Sequence, residues 1–289
     1  SELQYTMQDN PDLGADERKY VFSYSGFIKR WSLQRLQQTL DPQWDKLYWD
    51  TMLFEARNRV VDSYLIYLEK NRDPEDKFYE PRRKQFLKMG FTQALQDLID
   101  DEIDILSIST VPGSGKTTLG EMFMSGFMGW FPDLCNLFSS HSGHVTRMVY
   151  QVVCNIIGIG LKPGQIPEYT WREIFPDVEV ESNNANEQEI NLGKFKPFKT
   201  LTCRALGASQ TGVTRCEGIL YCDDLCSGIE MALSKIRLDK LWTMYSTDLK
   251  TRKKKGKRGR KCKELHIATR WSVWDVIGRI KTIYQNNKR

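Results

Sequence analysis

The stretch Ser109–Thr118, STVPGSGKTT, joins a short apolar run at 103–109 to a longer amphipathic run at 116–130. A glycine-rich turn between a strand and a helix is typical of an α/β fold, in which helices connect parallel strands. The stretch fits the pattern G-x-x-x-x-G-K-[ST] except at Thr110, which stands where the pattern has its first glycine. Because that glycine mainly eases a tight turn, we expect threonine to be tolerated if the turn opens slightly. The sequence therefore predicts a strand, a phosphate-binding loop and a helix, in that order.

The residue types in this loop suit a nucleoside triphosphate with Mg²⁺. Gly113 and Gly115 would let backbone N–H groups face phosphate oxygens at a helix N-terminus, where the helix dipole also favours negative charge. Lys116 would reach the β- and γ-phosphates, and the Thr117 hydroxyl would bind Mg²⁺. The alternative is a chance glycine-rich turn. The predicted nucleotide-binding residues of the loop are Pro112, Gly113, Ser114, Gly115, Lys116, Thr117 and Thr118.

A second motif supplies the acids that such a loop needs. In GILYCDDLCSG, the apolar run Ile219–Cys222 leads directly into Asp223 and Asp224. Asp223 would hold Mg²⁺ through water, and Asp224 would orient and deprotonate the water that attacks the γ-phosphate. The alternative is an acidic turn after a strand. We predict that Asp223 and Thr117 hold the metal and that Asp224 and Lys116 are catalytic.

Short apolar runs alternate with longer amphipathic ones from residue 76 onward, which predicts a mostly parallel sheet covered by helices. Residues 1–75 are predicted to form an irregular polar arm up to residue 28 and then two amphipathic helices at 33–70, separated at Asp41-Pro42. Residues 76–289 form the α/β domain, in which 159–199 is expected to be an insertion, a hairpin or a small lid. Strands are predicted at 103–109, 134–139, 200–205, 218–222 and 264–268, and helices at 86–100, 116–130, 144–158, 229–249 and 273–285.

The positive charge of the chain is concentrated in one segment. Residues 250–263 hold ten Lys or Arg and no acid, whereas the whole chain has 42 basic and 37 acidic residues. Such a basic loop suits contacts with nucleic-acid phosphates, although a solvated loop or a nuclear-localisation signal would have the same composition. The seven cysteines contain no CxxC pair, so free thiols are expected. No apolar run reaches the length of a membrane helix and no export signal is recognisable, which favours a cytosolic protein.

Three stretches are similar to a single protein family. HIATRWSVWDVIGRI at 266–280 resembles the coupling motif of tailed-phage terminase large subunits, which is roughly T-R-W-x-x-x-D-x-x-G-R. LGASQTGVTRCEGILYCDD at 206–224 resembles the glycine-rich stretch that leads into the family's two acids. FYEPRRKQF at 78–86 stands where the family has an adenine-recognising segment. The resemblance covers residues 76–285.

This resemblance implies a RecA-like P-loop ATPase domain that uses ATP and Mg²⁺ to package double-stranded DNA into a procapsid. It implies a homo-oligomeric ring when assembled, with a monomer as the expected state in isolation, and a portal protein and a terminase small subunit as partners. The location would be the host cytoplasm and, transiently, the procapsid. Thr269 and Arg270 would couple nucleotide state to DNA movement, and Tyr79 and Gln85 would recognise adenine. The predicted DNA-binding residues of the basic segment are Lys253, Lys254, Lys255, Lys257 and Arg258.

The phosphate loop lacks the arginine that many terminases have there. Arg215 is therefore predicted as an arginine finger supplied by a neighbouring subunit, with Arg147 and Arg204 as alternatives and an ordinary surface role open for each. The catalytic position is Asp224, where the family often has glutamate, and the nuclease domain of the family is not expected in this chain. Two other functions stay open: a superfamily-2 helicase-like ATPase, and a nucleotide-gated assembly module with little hydrolysis.

Overall fold

A computed structural model describes residues 15–208, 214–256 and 260–285. The described chain divides into two compact units. A helical unit contains the residues up to Asp100 together with Ile166–Phe175, and an α/β unit contains Asp101–Gln165 and the residues from Pro176 onward. The sequence predicted a boundary at residue 75, whereas residues 76–100 belong to the helical unit.

The helical unit is built from α1 (Ala15–Thr39), α2 (Pro42–Arg57), α3 (Val61–Leu68), α4 (Tyr79–Lys88), α5 (Phe91–Ile99) and the short α8 (Trp171–Ile174). The predicted break at Asp41-Pro42 is present, because the Asp41 side chain accepts the Gln43 amide and Pro42 opens α2. The segment 33–70 nevertheless contains parts of three helices rather than the predicted two, since α3 is separate from α2. The prediction of an irregular arm up to residue 28 is wrong for the described residues, which are helical from Ala15.

Polar contacts explain why the sequence did not reveal the start of α1. Ser25 and Lys29 both bond the carboxylate of Glu55, which is almost fully buried on α2. Ser63 on α3 bonds the same carboxylate. A helix that packs through buried polar groups lacks the apolar periodicity from which sequence analysis recognises helices.

The α/β unit has a sheet of seven strands in its described residues, in the order β1-β7-β6-β2-β5-β4-β3. Five strands are parallel, and β4 and β3 are added antiparallel at one edge. The strands are β1 (Ile105–Ser109), β2 (Asn136–Ser140), β3 (Val180–Asn184), β4 (Glu189–Leu192), β5 (Leu201–Ala205), β6 (Ile219–Asp223) and β7 (Lys263–Ala268). The predicted α/β class and all five predicted strands are confirmed, and the segment 159–199 contains the hairpin β3–β4.

The helices of this unit are α6 (Lys116–Trp130), α7 (Gly143–Ile157), α9 (Ile229–Ala232), α10 (Lys235–Met244) and α11 (Val276–Tyr284). A π turn at Tyr245–Leu249 and a 3-10 turn at Lys250–Arg252 follow α10. The predicted helix at 229–249 is interrupted because Ser234 caps a new helix, its side chain accepting the Arg237 amide.

Helix α6 is buried along almost its whole length. A side chain at Gly120 would overlap the Tyr221 ring of β6, so this glycine allows the close approach of α6 to the sheet. Within the ranges that the structure describes, no helix combines the length and the apolar character that a membrane crossing requires.

Candidate nucleotide site

The strand order brings the sequence motifs together at one edge of the sheet. Strand β7 lies between β1 and β6, with Ser109 beside Ala268 and Asp223 beside Ile267. Strand β2 lies on the other side of β6, with Ser140 beside Asp223. Because these strands are parallel, the segments after all four of them emerge at the same edge, where ligands of open α/β sheets bind.

The phosphate loop has the backbone conformation that its glycines permit. Gly113 and Gly115 have φ of 77° and 81°, in the left-handed region, and α6 begins directly afterwards at Lys116. The Lys116 ammonium is almost buried and donates to the Thr269 hydroxyl at 3.1 Å. That hydroxyl also lies 3.4 Å from the Thr110 carbonyl, to which it donates. The loop is thus hydrogen-bonded to the end of β7.

Asp223 is the acid whose surroundings best suit a metal ion. Its side chain is almost fully buried, and its Oδ1 has no hydrogen-bond partner among the described residues. Burial, and secondarily the charge of Asp224, raises the pKa of Asp223 to about 7, against the opposing effects of Thr117 and Lys116. The Thr117 hydroxyl and the unpaired Oδ1 of Asp223 are oxygen ligands of the kind that Mg²⁺ uses, together with waters and substrate phosphates.

Sequence analysis missed Glu121, a second buried carboxyl near Thr117 and Asp223, the predicted metal-binding pair. It lies one helical turn after Thr117 on α6, so the two side chains share a face of that helix. Burial, with a further contribution from Asp223, raises the pKa of Glu121 to about 8. The helical spacing from Thr117 was the signal that could have identified this residue.

Asp224 is held in an unusual conformation at the end of β6. Its φ is 40°, in the left-handed region that non-glycine residues seldom adopt. Its amide donates to the Ile267 carbonyl at 2.8 Å, and its Oδ1 accepts the Thr269 amide at 2.8 Å. The His141 ring lies 2.9 Å from its carbonyl oxygen. His141 was also missed; it directly follows β2, which ends one residue later than the predicted strand 134–139.

In the stretch that resembles the coupling motif, the residues after Thr269 form the turn that leads into α11. Asp275 caps α11 by accepting the Gly278 amide at 2.7 Å, and a side chain at Gly278 would overlap the Val273 carbonyl. Arg270 turns back onto its own loop, donating to the Ser272 carbonyl at 3.2 Å and lying 3.7 Å from Asp275. Of the two predicted coupling residues, Thr269 contacts the phosphate loop, whereas the contacts of Arg270 are within the turn before α11.

The predicted arginine finger lies away from the acids within its own chain. Arg215 precedes β6, at the opposite end of that strand from Asp223, and pairs with Glu217 at 2.7 Å. Arg204 on β5 pairs with Glu189 at 3.1 Å and with Glu187. Arg147 is exposed on α7, which begins just after the site edge of β2. Within the described chain, Arg215 and Arg204 therefore both pair with carboxylates other than Asp223 and Asp224, although Arg204 lies beside Ser139 near the same edge of the sheet.

The predicted adenine-binding residues belong to the helical unit. Tyr79 is fully buried, its ring stacks on Phe86, and its hydroxyl bonds Asp62 and Thr92 at 2.9 Å. A ring packed in this way offers no free face, so the structure does not support stacking of adenine on Tyr79. Gln85 has an exposed side chain on α4.

The basic segment is partly neutralised inside the fold. Lys253 pairs at 2.5 Å with the fully buried Glu264, so the structure gives Lys253 a role in the core rather than on a DNA-binding surface. Lys261 and Lys263 pair with Asp104 at 2.9 and 2.8 Å. Of the other predicted DNA contacts, Lys254 and Lys255 are exposed, and Lys257 and Arg258 lie outside the described residues.

Glu264 is the centre of a buried polar cluster on β7. Besides Lys253, it accepts from the Tyr245 hydroxyl at 2.5 Å and lies 2.9 Å from His266 Nε2. Burial disfavours the ionised form, but the contacts with His266 and Lys253 outweigh it, so the pKa of Glu264 lies well below its usual value. The cluster joins the basic segment and the π turn to β7.

The cysteines take no part in the site. All seven are free thiols and buried, as predicted. No cluster of three or more His, Cys, Asp or Glu side chains suited to a metal ion occurs in the described parts of the chain.

No protein-family model matches the sequence, and no curated protein matches it.

Proposed function

We propose that this chain is a Mg²⁺-dependent ATPase of the RecA-like P-loop class and the motor domain of a terminase large subunit, which moves double-stranded DNA into a procapsid. The observation that carries the nucleotide part is the meeting of the glycine loop, the two acids and Thr269 at the ends of three adjacent strands. A phosphate loop without these acids would be only a glycine-rich turn.

Each residue then has a role in phosphoryl transfer. Lys116 and the loop amides would hold the phosphates, and Thr117 and Asp223 would hold Mg²⁺, which supplies neutralisation of charge on the phosphates. Asp224 would orient the attacking water through Oδ2, because its Oδ1 is already engaged by the Thr269 amide. Thr269 now bonds Lys116, and a bound γ-phosphate would compete for that ammonium.

The packaging part of the proposal is supported by the coupling-like stretch and the exposed Lys254 and Lys255. Contacts from these lysines to DNA phosphates would be independent of sequence, as a motor that moves along any DNA requires. The ring, the portal protein, the small subunit and the cytoplasmic and procapsid locations belong to the same proposal. An arginine from a neighbouring subunit, with Arg215 as the candidate, would complete the site.

The test is Mg²⁺-dependent ATP hydrolysis over a range of protein concentrations, with and without DNA. We expect turnover per chain to rise with concentration, and Lys116→Ala and Asp224→Asn to abolish it. The exposed-surface variants Lys162→Ala and Asp177→Asn are the matched controls and should retain activity. Hydrolysis that persists in Lys116→Ala and Asp224→Asn would contradict the proposal.

A nucleotide-gated assembly module is the second candidate. The pairing of Arg215 with Glu217 and of Arg204 with Glu189 favours it, because these arginines are engaged away from the acids. This function predicts tight ATP binding with little hydrolysis at any protein concentration.

A further inference from the structure

The backbone of Asp224 requires an explanation that its proposed chemistry does not give. Its φ of 40° lies in the left-handed region, which is strained for a non-glycine residue. Such a conformation persists only where the surrounding structure holds it in place. The question is which contacts hold Asp224.

Two of the contacts come from β7 and the residue that follows it. The Asp224 amide donates to the Ile267 carbonyl, and the Asp224 carboxylate accepts the Thr269 amide, both at 2.8 Å. These bonds fix the residue from one side of β6. Neither of these two hydrogen bonds involves the Asp224 carbonyl, which belongs to the next peptide unit.

His141 supplies the third contact from the opposite side of β6. Its Nδ1 lies 2.9 Å from the Asp224 carbonyl oxygen, and His141 directly follows β2, which pairs with β6 up to Ser140 and Asp223. A carbonyl oxygen only accepts hydrogen bonds, so Nδ1 must carry the proton and donate it. The Ser140 hydroxyl, the other neighbour of Nδ1, is more distant at 3.4 Å.

The His141 side chain is exposed, so His141 is not part of the hydrophobic core. An exposed ring gains little from apolar burial, so its hydrogen bond to Asp224 is the interaction through which it acts on the fold. The contact requires a donor at one position of the ring, which an asparagine side chain can also supply but an alanine cannot.

We propose that His141 is a positioning residue that holds Asp224 in its left-handed conformation between β2 and β7. The Asp224 carboxylate then keeps Oδ1 on the Thr269 amide and presents Oδ2 to the attacking water. This inference rests on the proposed ATPase function for its catalytic consequence. Its structural consequence, the fixed position of Asp224 relative to Thr269, does not depend on hydrolysis.

The variants are His141→Ala, which removes the donor, and His141→Asn, which keeps an N–H near the Nδ1 position. His144→Ala is the matched control, because His144 is also exposed and lies one turn further along the chain. We expect kcat at saturating ATP to fall about tenfold in His141→Ala, the effect of losing one hydrogen bond at a catalytic group. ATP affinity should change less than about twofold, and His141→Asn should recover most of the loss.

Two further measurements test the inference without catalysis. The chain has three histidines, so ring-nitrogen NMR with the variants identifies His141, for which the Nδ1–H tautomer is expected. Hydrogen exchange of the Thr269 amide should become faster in His141→Ala but not in His141→Asn or His144→Ala. Thermal unfolding of each variant shows that the fold is retained.

The outcomes separate the two proposals. If the wild type does not hydrolyse ATP, and its Thr269 amide exchanges slowly but exchanges faster in His141→Ala, the ATPase function is overturned and the positioning role is supported. An active wild type whose kcat and Thr269 exchange are unchanged in His141→Ala would overturn the positioning role alone. A His141 ring protonated mainly at Nε2 would also overturn it.

Discussion

Replacing Lys253 by methionine should destabilise the α/β unit, although the residue lies in what the sequence presents as a basic surface loop. Glu264 is fully buried, and Lys253 is mostly buried beside it, with 21% of its side chain exposed. Removing one partner of a buried ion pair costs about 3–5 kcal/mol. Because Tyr245 and His266 continue to bond Glu264, we expect a loss at the lower end, about 3 kcal/mol.

Lys261→Met is the matched control from the same basic segment. Lys261 pairs with Asp104, but 67% and 45% of these side chains are exposed, and exposed pairs contribute only about 0–1 kcal/mol. For a domain of about 150–250 residues, 1 kcal/mol corresponds to about 2–4 °C in Tm. The expected decrease is therefore about 6–12 °C for Lys253→Met and below about 4 °C for Lys261→Met.

The assay is scanning calorimetry of the full chain at several pH values. The pKa of Glu264 is depressed by folding, so the stabilisation is present above the unfolded pKa, about 4.3, and is lost as the pH falls below it. The difference between wild type and Lys253→Met should consequently be full near neutral pH and shrink in acid. Equal melting temperatures for Lys253→Met and Lys261→Met would refute the reasoning, as would a difference that grows in acid.

Three other substitutions test the remaining geometry. Asp223→Asn should stabilise the metal-free protein increasingly as the pH rises from about 4 to about 7, by about 2 kcal/mol or more in unfolding measurements. The reason is that the carboxyl ionises near 7 when folded and near 4 when unfolded; a constant difference would contradict this. Thr269→Val should reduce kcat for ATP about tenfold or more while ATP binding is kept, because the Thr269 hydroxyl contacts Lys116. Thr269→Ser keeps that hydroxyl and should retain activity. Equal loss of activity in both variants would contradict a role of the hydroxyl. Gly278→Ala should cost about 2 kcal/mol or more, because its Cβ would overlap the Val273 carbonyl, and a wild-type Tm would show that the turn before α11 can relax.

The strands and the glycine-rich loop before α6 were predictable because their signals are local. Each of the five predicted strands contains a short run with apolar residues, and Gly113 and Gly115 mark the loop between one such run and a helix. Asp223 and Asp224 were found for the same reason, since they directly follow an apolar run. Local signals were therefore enough for the α/β class and for the part of the site that consists of sequence motifs.

Features that depend on distant partners were not predictable. The role of Lys253 is decided by Glu264, and nothing in a run of lysines shows which one faces a buried acid. His141 follows a strand like many polar residues, and only the register of β2 against β6 brings it to Asp224. The burial of Tyr79 likewise results from helix packing that the pattern of its own segment does not specify.

The position of β7 has a consequence for how the protein folds during synthesis. Strand β1 lies at the edge of the sheet and pairs with β7, so Ile105 meets Glu264 only after the intervening residues 106–263 have been synthesised. Contacts between such distant segments form slowly, because a long loop must close before the pairing is gained. Until then β1 and one side of β6 remain open edges that can pair with other chains. A folding intermediate without β7 would therefore have exposed strand edges, and its glycine-rich loop would not yet be held beside Asp223 and Asp224.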